Sequence, residues 1–187
     1  MFVRFAAPLL APALALLVAI PAPAPAAEKD GDHGVGKPFK LEFKDVATGK
    51  TIRTADMKGK VVVVEFWATW CPPCVAETPY MKKAYARYKD KGVEFIGVSL
   101  DQPEKSDGGL TKLKKFIAKH EIEWPQYYEG EGWDGEFSNS WDITAIPRVF
   151  VVDQDGNLHT RKGRGNLDDV LPELLSKRPK SADDRDD

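Results

Sequence analysis

The chain has two cysteines, Cys71 and Cys74, and they follow closely on a continuous apolar segment. Residues 61–67 read Val-Val-Val-Val-Glu-Phe-Trp, a β-branched and aromatic run that is typical of a strand buried on both faces. From Cys71 to about residue 89, residues of a buried stripe recur every three or four positions, which predicts an amphipathic helix. A Cys-x-x-Cys pair between a buried strand and a helix is a redox signature. This feature favours an α/β fold with a reactive pair at a helix N-terminus.

Two other interpretations of the pair, half of a metal site or a purely structural disulfide, have less support. The three histidines, His33, His120 and His159, lack the H-x₃₋₅-H spacing that would complete a zinc site. A disulfide that closes so short a loop constrains the unfolded chain little, because the stabilisation grows with loop length. We therefore predict a redox-active pair and no metal site.

The residues around the pair predict a moderately activated thiol. Pro72 suits the first helical position, and because residue 73 is also proline, the Cys74 N–H is the nearest hydrogen-bond donor for the Cys71 sulfur. A helix N-terminus contributes ~0.3–1 kcal/mol, less than the roughly 1.4 kcal/mol of one pKa unit. Negative charge at Glu65 and Glu77 opposes thiolate formation. This balance favours a reductase over an oxidant.

The rest of the chain alternates strand and helix patterns. A hairpin is predicted over residues 39–54, with a turn at Thr48-Gly49, and further strands and helices follow. The predicted strands are 93–100, 124–128, 148–152 and 158–162, and the predicted helices contain the apolar stripes of 110–117 and 167–175. Asn166 is predicted to cap the last helix, and Pro172 to disturb it. The pattern predicts an α/β domain with a mixed central sheet flanked by helices.

The N-terminus has the order of a secretory signal. Residues 5–27 contain no charged or hydrogen-bonding side chain, Arg4 precedes them, and Ala24-Pro25-Ala26 gives an A-x-A cleavage pattern. We predict a signal peptide over 1–26, cut after Ala26, and hence an exported, periplasmic protein. An uncleaved membrane anchor is the alternative, although prolines interrupt the apolar run.

The predicted domain has charged segments at both ends. Residues 27–36 are predicted to be a flexible linker, 37–178 the folded domain, and 179–187 a charged, disordered tail. The whole chain has 27 Lys and Arg against 29 Asp and Glu. A near-neutral balance argues against nucleic acid as a partner, because phosphate binding usually requires a basic excess.

The segment from Val61 to Cys74 resembles the active-site segment of the thioredoxin superfamily. Residues from about 36 to 177 resemble its exported TlpA/ResA-like branch of membrane-side thiol–disulfide oxidoreductases. Pro79 matches the proline that kinks the active-site helix, and Pro147 matches the family's cis-proline. Residues 101–141 resemble the strand-and-helix insertion of that branch. The resemblance implies a thioredoxin-like fold with an N-terminal hairpin and a central insertion.

The resemblance also implies roles for the site residues. Cys71 would be the nucleophile and Cys74 the resolving thiol. Glu65 occupies the place of the superfamily's buried acid and would shuttle the Cys74 proton; the alternative is a carboxylate at the strand end that faces water. Glu77 matches an acid of the TlpA/ResA-like active site; the alternative is a solvated helix acid.

Four further residues are expected to contact substrate: Trp70, Pro72, Ile146 and Pro147. Pro147 in cis would present the backbone of Ile146 to a substrate peptide, and a trans proline at a strand start is the alternative. The Pro-Pro dipeptide lies where the superfamily tunes its reduction potential, so no potential transfers from thioredoxin. Ile146 stands where many exported members carry a hydroxyl residue, which leaves substrate preference open.

The insertion combines aromatic and acidic residues, and we expect its aromatic side chains to pack against the core rather than to dock a partner. The aromatic residues are Tyr127, Tyr128, Trp133, Phe137 and Trp141, interleaved with Glu129, Glu131, Asp134 and Glu136.

The sequence thus predicts a monomeric enzyme that reduces disulfides of exported proteins and is recharged by a membrane-side thiol electron donor. It is expected to need no cofactor beyond the Cys71/Cys74 dithiol. One alternative is a peroxidase-like redoxin, although residues 64–71 lack the proline of the usual peroxidatic motif. The other is a non-catalytic protein that handles metal or a partner chain on a thioredoxin scaffold.

Overall fold

The computed structural model of the protein describes residues 33–177. The predicted signal peptide 1–26 and the predicted tail 179–187 lie outside the described residues. Within 33–177, no helix is both long and apolar enough to cross a membrane.

A five-stranded mixed sheet forms the centre of the fold, in the order β5-β4-β3-β6-β7. The strands are β1 Glu42–Lys44, β2 Thr51–Arg53, β3 Val61–Trp67, β4 Val93–Ser99, β5 Gln126–Tyr128, β6 Arg148–Val152 and β7 Leu158–Thr160. The central strand β3 pairs in parallel with β4 and antiparallel with β6, and all seven of its residues are buried. The continuous apolar run at 61–67 follows from this position, because helices cover the sheet and no strand face is left to water.

The described range contains five α-helices, of which four lie between strands of the central sheet in chain order and the fifth follows β7. They are α1 Pro72–Tyr88, α2 Glu104–Asp107, α3 Gly109–His120, α4 Glu136–Ser140 and α5 Leu167–Ser176. Short 3₁₀ helices cover Thr54–Met57, Lys89–Lys91 and Gly132–Asp134. The predicted α/β class with a mixed sheet is confirmed.

The predicted N-terminal hairpin exists, but its strands are short and form a separate two-stranded sheet. Phe39 and Leu41 are buried, yet they precede β1. The reason is that Thr54 engages this backbone: its hydroxyl accepts from the Leu41 N–H at 3.0 Å, and its own N–H donates to the Leu41 carbonyl at 3.0 Å.

Among the described residues, His33 already contacts the domain, four residues before the predicted boundary at residue 37. The His33 carbonyl accepts a hydrogen bond from Arg161 at 2.6 Å, and the Gly36 N–H donates to the Leu158 carbonyl at 2.7 Å. The end of the predicted linker is therefore held against the β6–β7 hairpin.

The predicted side-chain cap of α5 is wrong. Asn166 occupies the N-cap position, but its side chain makes no capping hydrogen bond. Its amide group donates instead to the Lys162 carbonyl at 3.0 Å. The Asn166 side chain therefore forms a hydrogen bond to the loop before the helix in place of one to the helix backbone.

Candidate active site

The two cysteines form a disulfide at the N-terminus of α1, with their Cα atoms 5.3 Å apart. Cys71 is the N-cap residue, and Pro72 occupies the first helical position. The Cys74 N–H donates to the Cys71 Sγ at 3.3 Å, as the two intervening prolines predict. Cys74 is fully buried, and Cys71 is nearly so. Cys71 is thus the sulfur nearer to the surface.

The Ile146–Pro147 peptide bond is cis, as predicted. The Ile146 carbonyl oxygen lies 3.9 Å from the Cys71 Sγ. Pro147 is buried and Ile146 is half-buried. A partly accessible backbone segment therefore lies directly beside the reactive sulfur.

Glu65 lies inside the central strand, between Gly97 of β4 and Val149 of β6. It is 4% exposed, and its carboxyl group makes no hydrogen bond within residues 33–177. Burial raises the pKa of Glu65 to about 8, and the negative charge of Glu77 contributes in the same direction. The alternative of a carboxylate facing water is wrong, since β3 is covered on both faces.

Glu77 lies on α1, one turn after Cys74, with a side chain that is only 8% exposed. Its carboxylate pairs with the half-exposed Arg164, with 2.5 Å between Oε2 and Nε. The solvated-acid alternative is therefore wrong. Sequence reasoning missed Arg164, and its placement between two glycines in a loop gives only a weak indication of its role.

A second missed residue, Asp101, holds the loop that leads to Cys71. Its buried carboxylate accepts hydrogen bonds from the Thr69 N–H at 3.2 Å and from the Ser99 hydroxyl at 2.7 Å, and the Thr69 hydroxyl also donates to it. Asp101 follows β4 and Thr69 follows β3. Because these strands are parallel, their carboxyl ends meet at one edge, and this rule could have indicated the contact.

Trp70 and Trp133 are each 40% exposed, and their ring centroids lie 6.0 Å apart. The indole N–H of Trp70 donates to the Leu100 carbonyl at 3.2 Å.

Among the aromatic residues of the insertion, Tyr127, Tyr128, Phe137 and Trp141 pack against the core as expected. The packing prediction is wrong for Trp133. Pro72 is also exposed, next to Cys71.

Within the described residues, no group of three or more His, Cys, Asp or Glu side chains is arranged to hold a metal ion.

The sequence profile of the Redoxin family matches residues 23–170, which is most of the chain. The chain belongs to the Redoxin family. The family assignment covers the central sheet, the disulfide, the insertion and the cis-proline.

Thiol–disulfide oxidoreductases are among the family relatives. ResA of Bacillus thuringiensis subsp. konkukian is 33% identical over 129 residues, which are 69% of each chain. ResA of Oceanobacillus iheyensis is 33% identical over 144 residues, covering 72% of this chain and 70% of its own. The crystal structure of the thioredoxin domain of a thiol-disulfide oxidoreductase from Bacteroides vulgatus is 28% identical, with a TM-score of 0.63 over 75% of this chain and 98% of that one.

These similarities confirm the TlpA/ResA-like resemblance and the thioredoxin-like fold. With the Cys71–Cys74 pair in place, they also confirm the prediction of a thiol–disulfide oxidoreductase.

Proposed function

We propose that this oxidoreductase works as a reductase of disulfide bonds in exported proteins. The observation that carries the proposal is the Cys71–Cys74 disulfide at the start of α1, with its more accessible sulfur at the N-cap. A dithiol at this place exchanges with other disulfides through a mixed disulfide.

The reaction balances without any further reagent. The Cys71 thiolate attacks one sulfur of the substrate disulfide, a Cys71–substrate disulfide forms, and the first substrate thiolate leaves. The Cys74 thiolate then attacks Cys71 Sγ, which releases the second substrate thiolate and closes the Cys71–Cys74 bond. Two electrons pass to the substrate, and the two thiol protons neutralise the thiolates released. A thiol donor then reduces the Cys71–Cys74 bond again.

The surroundings of Cys71 support the direction of reduction. Within residues 33–177, the Cys74 N–H is the only hydrogen-bond donor on the Cys71 sulfur. The nearby cation Arg164 is engaged by Glu77. An oxidant of the DsbA type requires a strongly stabilised reduced form. Little around this sulfur would supply such stabilisation.

Glu65 is proposed as the base that accepts the Cys74 proton. Cys74 is fully buried and has no access to water as a base. With a pKa of about 8, Glu65 can both take up and release a proton near neutral pH. The negative charge of Glu77 raises the pKa of Glu65 further and favours its protonated form. Arg164 forms an ion pair with Glu77 and partly neutralises that charge.

The substrate chain is proposed to lie across Trp70, Pro72 and the backbone of Ile146. Pro147 has no N–H, so it places no competing donor beside the cysteines. The Ile146 carbonyl, 3.9 Å from the Cys71 Sγ, is available to accept from a substrate backbone N–H.

Export through the signal at residues 1–26 remains part of the proposal, as do a monomeric state and a membrane-side thiol donor. The proposed reaction uses no cofactor other than the dithiol. The mass of the native exported protein tests cleavage after Ala26. An unprocessed chain in the membrane fraction would favour the anchor instead.

Reduction of insulin by the full exported protein tests the activity, with Cys71→Ser as the control. We expect turnover with the wild-type protein and none above background with the variant. Absence of Cys71-dependent turnover would contradict the proposal and favour a non-catalytic role. A parallel assay with hydrogen peroxide tests the peroxidase alternative, and we expect no Cys71-dependent catalytic consumption.

A further inference from the structure

The contact between Trp70 and Trp133 places two exposed aromatic side chains beside the disulfide. Within residues 33–177, three large hydrophobic residues are exposed, and the third is Val35. The two tryptophans touch each other, and Trp70 directly precedes Cys71. Exposed apolar groups that cluster at a reactive site mark an interaction surface, whereas scattered ones carry no meaning.

Local contacts define the backbone on both sides of Trp133. Gly132 has a φ of 58°, in the left-handed region, so a residue with a Cβ would be strained there. On the other side, the Glu129 carboxylate accepts from the Phe137 N–H at 2.8 Å and fixes the start of α4. A surface that is ordered before binding loses less conformational entropy when a partner arrives.

The charge around Trp133 indicates which partner fits. Residues 120–147 contain seven carboxylates and neither lysine nor arginine. Two of these, Glu121 and Glu123, pair with lysines of α1 and its extension. Those that flank Trp133 are exposed, and their side chains have no hydrogen bond or ion pair within 33–177; they are Glu131, Asp134 and Glu136.

We infer that Trp70 and Trp133 bind an extended substrate segment that carries apolar and basic side chains next to its disulfide cysteine. This inference rests on the proposed function and adds the class of substrate. The ring centroids are 6.0 Å apart, which matches the rise of about two residues of extended chain. One substrate side chain therefore packs on Trp70 beside the reacting sulfur, and the residue about two positions away packs on Trp133. Lysine or arginine near that residue lies close to the exposed carboxylates Glu131, Asp134 and Glu136.

The inference is tested with two peptides of equal length, each with one disulfide. One carries leucine and lysine beside its cysteine, and the other carries leucine and glutamate. We expect the wild-type protein to reduce the basic peptide with at least a tenfold higher kcat/KM. Trp133→Ala should lower kcat/KM for the basic peptide about tenfold, mainly through KM. Asp134→Lys should reduce or reverse the preference.

Asp155→Lys is the matched control, because it makes the same charge change in the turn after β6, at the end of that strand away from Pro147. It should leave the preference unchanged. Circular dichroism and thiol titration of each variant establish that it is folded and carries two reactive cysteines. If Asp134→Lys and Trp133→Ala both match the wild type on both peptides, the inference is overturned.

A small aromatic disulfide, which needs no docking surface, separates this inference from the proposed function. If the wild-type protein turns over the small disulfide but shows no preference between the two peptides, the docking inference alone is overturned. No turnover of any disulfide contradicts the proposed function itself. If Trp133→Ala instead converts a dimer to a monomer in sedimentation, the surface joins two copies and the docking inference is wrong.

Discussion

The β3–α1 junction and the segment from β5 to α4 meet beside the disulfide, but they are built differently. At the junction the reacting groups are buried: Cys71, Cys74 and Glu65 are almost inaccessible, and Glu77 is a nearly buried acid paired with Arg164. The β5–α4 segment is acidic, and it presents to solvent Trp133 and carboxylates that form no ion pair within residues 33–177. Burial suits proton and electron transfer, because charges act more strongly where water is excluded. Exposed aromatic and charged side chains suit recognition of another chain.

This division leads to a testable distinction. Changes at the buried groups of the junction, such as Cys74 and Glu65, should affect all disulfides alike, because they alter the reaction itself. Changes in the β5–α4 segment should alter the choice between substrates. A junction variant that shifted the peptide preference would break the comparison.

Cys74→Ser should have the largest effect. Turnover should fall by at least ~10³-fold with every substrate, because the mixed disulfide at Cys71 can no longer be resolved internally. Mass spectrometry should show the protein carrying one substrate chain. Cys71→Ser serves as the control, since it should carry none. A variant that turned over normally would show that resolution comes from elsewhere.

Glu65→Gln should slow the resolving step by ~10–100-fold, within the range for a lost general base. Wild-type resolution should accelerate as pH rises through about 8, where Glu65 ionises, and the variant should lack this rise. Stopped-flow measurement on both peptides gives the rates. Equal rates and equal pH profiles would remove Glu65 from the mechanism.

The same substitution has an opposite effect on stability. The raised pKa of Glu65 means that the folded protein keeps a proton that the unfolded chain loses above the ordinary value of 4.5. Protonation of Glu65 therefore makes its full contribution to the free energy of unfolding below pH 4.5. This contribution falls by about 1.4 kcal/mol per pH unit as the pH rises from 4.5, and it is lost as the pH passes about 8. Glu65→Gln removes this loss, so denaturation should show the variant more stable than wild type at pH 8. The difference in free energy of unfolding between the two proteins should shrink towards pH 5. A difference that stays constant with pH would contradict the raised pKa assigned to Glu65.

Asp101→Ala should loosen the Thr69 loop and cost about 1–3 kcal/mol of stability, since it leaves buried donors without an acceptor. Because Trp70 and Cys71 follow Thr69, kcat/KM should drop severalfold for the basic and the acidic peptide alike. Urea unfolding and peptide kinetics measure both effects. A selective loss on one peptide would place Asp101 in recognition instead.

Arg164→Gln should have the smallest effect, about 0.2–1 kcal/mol of stability, because Arg164 is half-exposed and solvent screens the pair. Arg164→Lys should recover part of the loss by keeping the charge. Adding Glu77→Gln to Arg164→Gln should recover more, since no uncompensated carboxylate then remains. An additive double variant would show that the two residues do not interact.

The sequence predicts the junction well because several local rules agree there. The apolar run of β3, the period of α1 and the Pro72 position all favour the same strand-to-helix connection. The cysteine pair, its amide donor and the cis Pro147 follow from this segment and from the family resemblance. Glu65 is predictable as an acid at this position, but its burial depends on β4 and β6 packing on both sides.

The features that sequence could not supply depend on distant contacts or on competing local ones. Arg164 meets Glu77 across 87 residues. Tryptophan is a residue type that usually packs in a core, and the sequence does not show that Trp133 is 40% exposed in a loop that follows a left-handed Gly132. Asn166 is a good capping residue, but its side-chain amide donates to the Lys162 carbonyl and makes no capping hydrogen bond.

The reduction potential of the Cys71–Cys74 couple tests the central claim most directly. It is measured by equilibration with dithiothreitol or glutathione buffers and mass analysis of the alkylated protein. A reductase requires a potential more negative than about −180 mV, the value of protein disulfide isomerase. A potential near about −120 mV, as in DsbA, would make the protein an oxidant and contradict the account.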